Sequence, residues 1–457
     1  MEPGIVQVKS LLKSKELEDR LRELINNKMK PGDQLLPERV LAQKFKVGRI
    51  TAKTAVDNLA KIGVLERIKR KGTFVANNAF TANFLCLDFP TESFDSCTKQ
   101  IKRQKNIQLK TKYKAGGLDA NSPLSILSLI NAEKYDLISI NEGNIPILAE
   151  RNLIQPLDEL LDKSSQLSRS DFFTSLLDNY FTYKGKLYGL PVCWASPVLI
   201  YNKKLFKRYD LDFPNETWTW GDLKKACKKF NMPLPGKPLI APLCLDMFNS
   251  NFLTTVLWQR NAKIFDENNY CLADTANFRD TIAFFYSLIT DYGARPYIEG
   301  ELFQASAIFE RDRLAMVATF SSFVPIVTGD KDKDEWGISS LPSCTNISSK
   351  LPTQGIAISS KVDNRNAFAV MEEIFQLKTL KKISALSLSL PGLRQNGNNI
   401  PQIYLKKLEA KPFEKESSKK FFQLQLLVKE LTLVWNKLET PENVCKNIKL
   451  ILNKTNK

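Results

Sequence analysis

The chain has 457 residues, of which 43% are apolar and 25% charged, the balance of an ordinary soluble protein with two to four domains. It contains no histidine, which excludes His-based acid–base chemistry, the usual serine or cysteine triads and most transition-metal sites. The formal net charge is +17. Residues 1–80 carry 17 Lys and Arg against 9 Asp and Glu, and residues 401–457 carry 12 against 6. A basic N-terminal segment of this kind favours a polyanionic partner.

The cysteine pattern and the first residues bear on the cellular compartment. The eight cysteines form no Cys-x-x-Cys pair, so we predict reduced thiols scattered through the core and no metal site. Charges are spread through residues 1–25 without the apolar core of a signal peptide, and no run of eighteen apolar residues occurs. We therefore expect a cytoplasmic protein without a membrane partner. Nothing in the sequence points to a cofactor or to catalytic residues, and we predict that the chain is not an enzyme.

Three helices are predicted in the first 62 residues. Residues 8–27 place Leu and Ile at helical spacing, and Pro31-Gly32-Asp33 is typical of a turn. Residues 37–45 predict a short helix with Pro in its first turn, and residues 49–62 predict a longer one. The first turn of the longer helix is expected to expose Arg49, Thr51 and Lys53. These residues suit a recognition helix whose N-terminal side chains meet base edges in the major groove.

A short hairpin is predicted after this helix. Gly63 ends the helix, and residues 65–68 and 73–75 are two β-prone runs. They flank Lys69-Arg70-Lys71-Gly72, a tip with three positive charges. The segment therefore has the pattern of a winged helix-turn-helix.

This segment resembles the GntR family of bacterial transcription regulators. The residues that match the spacing of the family are Pro31-Gly32-Asp33, Glu38-Arg39, Leu41-Ala42, Val47, Arg49, Thr51, Gly63 and Gly72-Thr73-Phe74-Val75. The resemblance implies that Arg39, Arg49, Thr51 and Lys53 contact operator phosphates and bases. It also implies that the wing, including Lys69, Arg70, Lys71 and Gly72, enters the minor groove.

The segment departs from the family pattern at three places. Leu36-Pro37 stands where the family usually has Pro-Ser, so the hydroxyl that would cap the helix is absent. Gly48 replaces the Ser or Thr cap of the recognition helix, which weakens its start by a few tenths of a kcal/mol. Arg70 replaces a glycine at the wing tip. An arginine at that position still suits a narrow minor groove.

Strands and helices alternate after the winged segment. Residues 84–89, 107–113 and 135–140 predict strands, and residues 93–104 and 124–132 predict helices. This order is typical of an α/β layer with a largely parallel sheet, which binds ligands at the carboxyl ends of its strands. Asp88 and Glu142 lie at two such ends and are candidate ligand-binding residues, although ordinary loop chemistry explains them equally well.

A second resemblance covers roughly residues 84–400. The motifs Tyr183-Lys184-Gly185-Lys186-Leu187-Tyr188-Gly189-Leu190-Pro191 and Leu199-Ile200-Tyr201-Asn202-Lys203 are similar to those of extracellular solute-binding proteins of ABC importers, of the maltose-binding-like type. Residues 257–266 and Arg313-Leu314-Ala315-Met316 continue the match. The resemblance implies two α/β lobes, with crossovers near Pro191 and within residues 341–351, that close on a sugar or oligosaccharide by hinge motion.

Such proteins stack aromatic rings on sugar rings, and the resemblance therefore suggests binding residues. Trp194 and Tyr201 are the favoured candidates, followed by Phe320 and then Trp258, with core packing as the alternative role. Ser321 and Ser322 stand where the family can place a tryptophan, which weakens the case for stacking there. Trp218 and Trp220 are interpreted as packing residues.

Together these observations predict a multidomain protein. Its parts are a winged helix-turn-helix (α+β) at residues 1–77, a linker at 78–83, and a two-lobed periplasmic-binding-protein-like domain (type II, α/β) at 84–457. The predicted function is that of a transcription regulator, a repressor by the usual family role, whose effector domain senses a sugar and changes operator binding. Its partners would be double-stranded palindromic operator DNA, the sugar and a second copy of the chain, because half-site symmetry demands a dimer.

Several alternatives remain open at the level of sequence. The dimer contact could come from Phe421, Phe422, Leu426, Leu427, Leu431 and Val434, or these residues could pack in the core. The effector domain could instead be of the LacI type, a pyridoxal-phosphate aminotransferase fold, or a module that has lost its ligand and only holds the dimer. The sequence does not identify the ligand.

Overall fold

The structure, a computed structural model, does not describe every residue. The described residues are 14, 16–22, 24–25, 28–30, 32–61, 63–76, 80–87, 89, 93–105, 107–114, 123–296, 302–342, 348–362, 364–386, 388–394, 400–408 and 418–454. The candidate ligand residue Asp88 and the cysteine at position 344 lie outside this set. The chain divides into two compact units: Met1–Ser139 with Ile358–Thr379, and Ile140–Ala357 with Leu380–Lys457.

The N-terminal part of the first unit forms the predicted winged helix-turn-helix. Helix α1 is described at residues 14, 16–22, 24–25 and 28. It is followed by helices α2 (Glu38–Lys44) and α3 (Arg49–Lys61) and by strands β1 (Leu65–Ile68) and β2 (Gly72–Val75). The two strands pair in antiparallel fashion. The helices share one apolar core that contains Leu17, Leu21, Leu41, Val56 and Leu59.

The ends of these helices follow the local sequence. Pro37 stands at the N-cap of α2 and supplies no side-chain hydrogen bond, as its replacement of serine predicts. Gly63 follows α3 with φ of +74°, a conformation that glycine adopts without steric cost. The chain therefore leaves the recognition helix sharply and enters β1.

Three neighbouring parallel strands of a larger sheet lie in the rest of the first unit. Its elements are β3 (Phe80–Leu87), α4 (Asp95–Lys105), β4 (Ile107–Lys114), α5 (Pro123–Ala132), β5 (Leu137–Asn141) and α15 (Asn364–Ile374). Strand β3 lies between β4 and β5 and runs parallel to both. Each predicted strand and helix of this region is present within a few residues of its predicted bounds.

Strand β3 begins earlier than predicted. Phe80 already pairs with Ile107, so residues 80–83 belong to the strand and not to the predicted linker. The extension was not predicted because the polar side chains of Thr81 and Asn83 are more typical of a linker than of a buried strand. The Asp136 carboxylate accepts a hydrogen bond from the Asn83 backbone N–H at 2.7 Å and a longer one, at 3.5 Å, from its side-chain Nδ2, which gives the polar side chain a partner.

The second unit contains most of the remaining elements. Its helices, with α16 shared between the units, are α6 (Ile145–Glu150), α7 (Asp158–Asp162), α8 (Thr174–Leu176), α9 (Lys203–Arg208), α10 (Trp220–Phe230), α11 (Ser250–Gln259), α12 (Ala276–Thr290), α13 (Leu302–Glu310), α14 (Val324–Thr328), α16 (Leu377–Leu386), α17 (Gln402–Leu408), α18 (Ser418–Trp435) and α19 (Pro441–Lys454). Its strands are β6 (Thr182–Tyr183), β7 (Lys186–Leu187), β8 (Leu190–Trp194), β9 (Pro197–Asn202), β10 (Ala241–Leu245), β11 (Arg295–Pro296), β12 (Leu314–Phe320), β13 (Trp336–Ser340), β14 (Thr353–Ile358) and β15 (Leu390–Pro391).

Two groups of strands organise this unit. A five-stranded sheet has the order β11-β10-β12-β9-β13, with β10 parallel to β11 and β12, and β9 antiparallel to its neighbours. Strand β8 pairs in antiparallel fashion with β14 and β15. Only Ala195 and Ser196 separate β8 from β9, so the chain changes sheets just after the predicted crossover near Pro191. The second change of sheet lies between β13 and β14, a segment that includes residues 341–351.

The C-terminal helices complete the apolar core around the five-stranded sheet. Leu427, Leu431 and Val434 of α18 are fully buried there, so the alternative of core packing is the correct one for them. Leu426 is exposed, and the side chains of Phe421 and Phe422 lie outside the described set. Trp220 is buried in the same core and Trp218 packs against it, which confirms their interpretation as packing residues.

The cysteines also belong to the core. The seven that the structure describes are buried, and none forms a disulfide with another of them. Burial raises the pKa of Cys97, Cys227 and Cys445 to about 12. These three thiols therefore stay protonated and unreactive at neutral pH.

Candidate functional site

The recognition helix α3 presents a basic outer surface. Arg49 and Lys53 are exposed at its N-terminal end, and Arg39 is exposed on α2. The opposite face of α3 is buried through Ala52, Ala55 and other small or apolar residues. The arrangement leaves cations at the end of the helix that a winged helix-turn-helix inserts into the major groove.

Thr51 was predicted to be exposed, but in the structure it is nearly buried. It retains only 9% of its accessible surface because it precedes Ala55 and Leu59 by one and two helical turns, on the buried side of α3. The outward position beside Arg49 belongs instead to Ile50, which is 79% exposed. Ile50 was not among the predicted DNA-binding residues because base contacts were expected from polar side chains.

The wing tip is exposed and its backbone is constrained. Lys69, Arg70 and Lys71 are all exposed. Arg70 has φ of +64°, the left-handed conformation that the glycine usual at this position adopts easily. For a residue with a Cβ atom this conformation costs about 1–2 kcal/mol. The Gln34 side-chain amide donates a hydrogen bond to the Lys71 carbonyl at 2.9 Å and so ties the tip to the body of the domain.

The hydrogen bond between Gln34 and Lys71 also explains why residue 72 is a glycine. The φ of Gly72 is +125°, and a Cβ atom at this position would lie 2.6 Å from the Gln34 Nε2 atom. Any other residue would displace Gln34 from the wing. Gly72 therefore shapes the wing tip, in addition to the part in DNA binding that the family resemblance implies.

Arg67 connects the wing to both helices of the helix-turn-helix. Its guanidinium lies 2.7 Å from a Glu38 carboxylate oxygen and 2.5 Å from an Asp57 carboxylate oxygen. These two carboxylates are the acidic groups of α2 and α3. The single positive charge of Arg67 offsets one of these two negative charges and so reduces their effect on the positive potential of Arg49 and Lys53.

The aromatic candidates in the solute-binding region are all buried. Trp194 is 1% exposed, and its indole N–H donates a hydrogen bond to the Pro391 carbonyl at 3.1 Å. Phe320 packs edge-on against Phe252 with 6.0 Å between ring centroids, and Trp258 is buried in α11. None of these rings presents an open face in this conformation.

Tyr201 also lies in the core. Its ring centroid is 5.5 Å from that of Phe206 and 5.6 Å from that of Phe213. A Cβ atom on Gly337 would lie 2.4 Å from the Tyr201 hydroxyl oxygen, so Gly337 makes room for this ring. Burial raises the pKa of the Tyr201 phenol. These contacts make Tyr201 a packing residue of the five-stranded sheet in this conformation.

Glu142 directly follows β5 and contacts the segment between β13 and β14, where the chain passes from one sheet to the other. Its carboxylate accepts hydrogen bonds from the Thr353 amide nitrogen at 3.0 Å and from the Thr353 hydroxyl at 3.3 Å. The Lys350 ammonium lies 3.9 Å from its other oxygen, and both side chains are almost fully buried. Glu142 was predicted to bind a ligand, but in the structure its carboxylate contacts Thr353 and Lys350, in the segment that links the two sheets.

Other buried contacts hold the same segment. The Thr255 hydroxyl lies 3.0 Å from the Lys350 amide nitrogen and 3.2 Å from its carbonyl oxygen. The Tyr180 hydroxyl accepts a hydrogen bond from the Leu351 amide at 3.1 Å, and the Lys350 ammonium lies 5.5 Å from the Tyr180 ring centroid. Residues 350–353 are therefore fixed by α11, by Tyr180 and by Glu142.

Asn144 is the most distinctive polar residue near the end of β5. It ends a short 3-10 helix, Glu142–Asn144, whose start is fixed by the Asn141 side chain, which accepts a hydrogen bond from the Asn144 amide nitrogen at 3.2 Å. The Asn144 side chain is fully buried, and neither its Oδ1 nor its Nδ2 has a partner within the described part of the chain. A buried amide without partners costs about 1–3 kcal/mol, which a bound polar group would recover.

Neither a membrane span nor a metal cluster occurs among the described residues. Within the described ranges, no helix combines the length and the apolar character needed to cross a membrane. No group of three or more Cys, Asp or Glu side chains in the same ranges is arranged to hold a metal ion.

Two protein families match the chain. The family described as bacterial extracellular solute-binding protein matches residues 113–374, and the family described as bacterial regulatory proteins, gntR family, matches residues 13–75. Neither description is that of an enzyme.

Individual relatives match the two regions separately. The mannosyl-D-glycerate transport/metabolism system repressor MngR of Escherichia coli is 39% identical over 62 residues, which are 13% of this chain and 26% of the relative. The sn-glycerol-3-phosphate-binding periplasmic protein UgpB of Brucella abortus is 30% identical over 88 residues, 19% of this chain and 20% of the relative. The chain thus spans only about a fifth to a quarter of the length of these curated relatives.

Solved structures support the fold of the larger region. The ABC substrate-binding protein Lmo0181 of Listeria monocytogenes, solved in complex with cycloalternan, has a TM-score of 0.70 and 19% identity, with 82% of this chain and 98% of that chain covered. The fold is therefore that of a two-lobed α/β solute-binding protein preceded by a winged helix-turn-helix, as predicted. Because the solute-binding family matches more than half of the residues, the chain belongs to the bacterial extracellular solute-binding protein family and carries a gntR-family winged helix-turn-helix at its N terminus.

Proposed function

We propose that this chain is a cytoplasmic transcription regulator whose solute-binding part senses a sugar or oligosaccharide and thereby changes operator binding. The observation that carries the proposal is the presence, in one chain, of an exposed basic recognition helix with its wing and of a solute-binding fold. A transport receptor has no use for a DNA-binding module, whereas a regulator needs both parts. The match to MngR, which is named as a repressor, supports repression as the direction of control.

The DNA contacts are assigned to exposed groups. Arg39, Arg49 and Lys53 would contact phosphates and base edges, and the wing residues would contact the minor groove. Thr51, being nearly buried, would act through its hydroxyl on a phosphate close to the helix end. Two winged domains would bind a palindromic operator as a dimer. Enrichment of a palindrome from random duplexes checks this assignment, and an asymmetric site bound by one chain would contradict it.

The solute contact is assigned first to Asn144. Its amide offers a carbonyl acceptor and two N–H donors, which are the groups that bind sugar hydroxyls. It is also close in sequence to Glu142, at the carboxyl end of a parallel strand, where ligands of α/β sheets bind. Asn144 and the four aromatic candidates, Trp194, Tyr201, Phe320 and Trp258, are all buried, so each of them would contact a solute only after a rearrangement. Asn144 is placed first because its amide has no partner within the described residues, whereas the rings are packed.

Two of the similar proteins point to different classes of solute. Lmo0181 was solved in complex with cycloalternan, whereas UgpB is named for binding sn-glycerol 3-phosphate. A sugar or oligosaccharide is preferred because Asn144 is a neutral group that suits hydroxyls. A sugar-alcohol phosphate is the second candidate, and the experiment below includes it.

A thermal-shift screen with the full-length protein tests the sensing part. Monosaccharides, oligosaccharides and sn-glycerol 3-phosphate are compared, and a ligand at 100 times its Kd should stabilise the protein by about 2.7 kcal/mol. Asn144→Ala should abolish this shift without lowering the stability of the free protein, because it removes a buried amide that has no partner within the described residues.

The control variant is Asn231→Ala, which removes an exposed amide that donates a hydrogen bond to the Tyr292 carbonyl at 3.0 Å. It should keep the ligand shift. A shift that persists in Asn144→Ala would place the solute elsewhere. No shift with any compound would contradict the sensing proposal and favour an effector domain that only holds the dimer.

A further inference from the structure

We infer that Ile50 recognises the 5-methyl group of a thymine in the operator, an inference that rests on the proposed DNA-binding function. Ile50 is the second residue of α3, and at 79% it is the most exposed large apolar side chain among the described residues. The side chain therefore lies on the surface at the end of the recognition helix, beside Arg49.

The fold itself does not account for an isoleucine at this position. The helix packs through Ala52, Ala55 and Val56, on a different face. A β-branched residue has lower helix propensity than most, and an exposed apolar side chain gains nothing from burial on folding. The residue is thus unfavourable for the free protein unless a partner covers it.

The neighbours of Ile50 indicate the chemistry of that partner. Arg49, one residue before Ile50, and Lys53, three residues after it, are both exposed at this end of the helix. The Thr54 hydroxyl donates a hydrogen bond to the Ile50 carbonyl at 2.9 Å and is thereby engaged within the helix. A surface that combines exposed cations with an exposed apolar side chain suits the major groove, where phosphates border the bases and the thymine methyl is the apolar group.

The experiment compares thymine with uracil, which differs only by this methyl group. The full-length wild-type protein first selects its operator from random duplexes, and each thymine of the selected site is then replaced by deoxyuridine. Covering one methyl or methylene group is worth about 0.8 kcal/mol, which corresponds to about a fourfold change in Kd. We expect one thymine in each half-site whose replacement weakens the wild-type complex about fourfold. In Ile50→Ser the same replacement should have no effect.

Leu239→Ser is the matched control, because Leu239 is 78% exposed and lies in the solute-binding region. This variant should retain the full methyl dependence. The inference is overturned if no thymine shows the loss in the wild type, or if the loss is equally large in Ile50→Ser. If no duplex is enriched at all, the proposed DNA-binding function fails and the inference fails with it. If a duplex is enriched but no thymine methyl affects its affinity, the DNA-binding function stands and only the inference about Ile50 fails.

Discussion

Lys350→Ala is expected to lower the free energy of unfolding of the solute-binding region by about 3–5 kcal/mol. Lys350 and Glu142 are 3% and 6% exposed, and their charged atoms are 3.9 Å apart. Removal of the lysine leaves the Glu142 carboxylate buried beside Thr353 without the Lys350 ammonium. Urea unfolding of the full-length protein, followed by the fluorescence of its tryptophans, measures the change.

Two further variants show whether the buried pair is the cause. Lys406→Ala removes an exposed partner of Glu216, where both side chains are more than half exposed, and should cost at most about 1 kcal/mol. The double variant Glu142→Gln/Lys350→Met leaves no unpaired charge and should recover most of the stability that Lys350→Ala removes. Equal effects of Lys350→Ala and Lys406→Ala would contradict a structural role for the pair.

Neutralising the wing is expected to cause the largest loss of DNA affinity. In the variant Lys69→Ala/Arg70→Gly/Lys71→Ala, glycine is chosen at position 70 because φ there is +64°. Each phosphate that the variant no longer neutralises should reduce the slope of log Kobs against log salt concentration by about 0.9, with a correspondingly weaker complex at low salt. Binding isotherms at several salt concentrations give both quantities.

A variant with the same change of charge separates local contacts from overall charge. Lys378→Ala/Lys381→Ala/Lys382→Ala removes three exposed positive charges from α16. It should leave the salt slope unchanged if the wing residues contact DNA directly. Equal slopes for the two triple variants would show that the wing acts only through net charge. That result would contradict the direct DNA contacts assigned to the wing residues.

The winged domain was largely predictable because local sequence determines it. Glycine at 63, proline at 37 and the apolar spacing of α3 fix the ends and the buried face of its elements. Thr51 was misplaced because the position of a residue near the edge of a helical face depends on the angle at which the helix packs. Ile50 was missed because base contacts were expected from polar side chains only.

The solute-binding region was predictable in its elements but not in its side-chain roles. The strands around Phe84 and Leu137 have apolar runs that are recognisable without a structure. Trp194 and Tyr201 lie on buried strands of the same composition, and the sequence does not indicate whether an aromatic ring faces a cleft or a helix. Glu142 and Thr353, which share a hydrogen bond, are more than 200 positions apart, and sequence spacing does not reveal such a pair. It also does not reveal that the Asn144 amide has no partner among the described residues.

The coupling of the two parts is the central claim, and one titration tests it most directly. The Kd of the full-length protein for its selected operator is measured without solute and with a saturating concentration of the solute found by thermal shift. We predict a change of about 5–150-fold, equivalent to about 1–3 kcal/mol, with an equal reciprocal change in solute affinity when DNA is bound. An operator Kd that stays the same while the solute is bound would contradict the account.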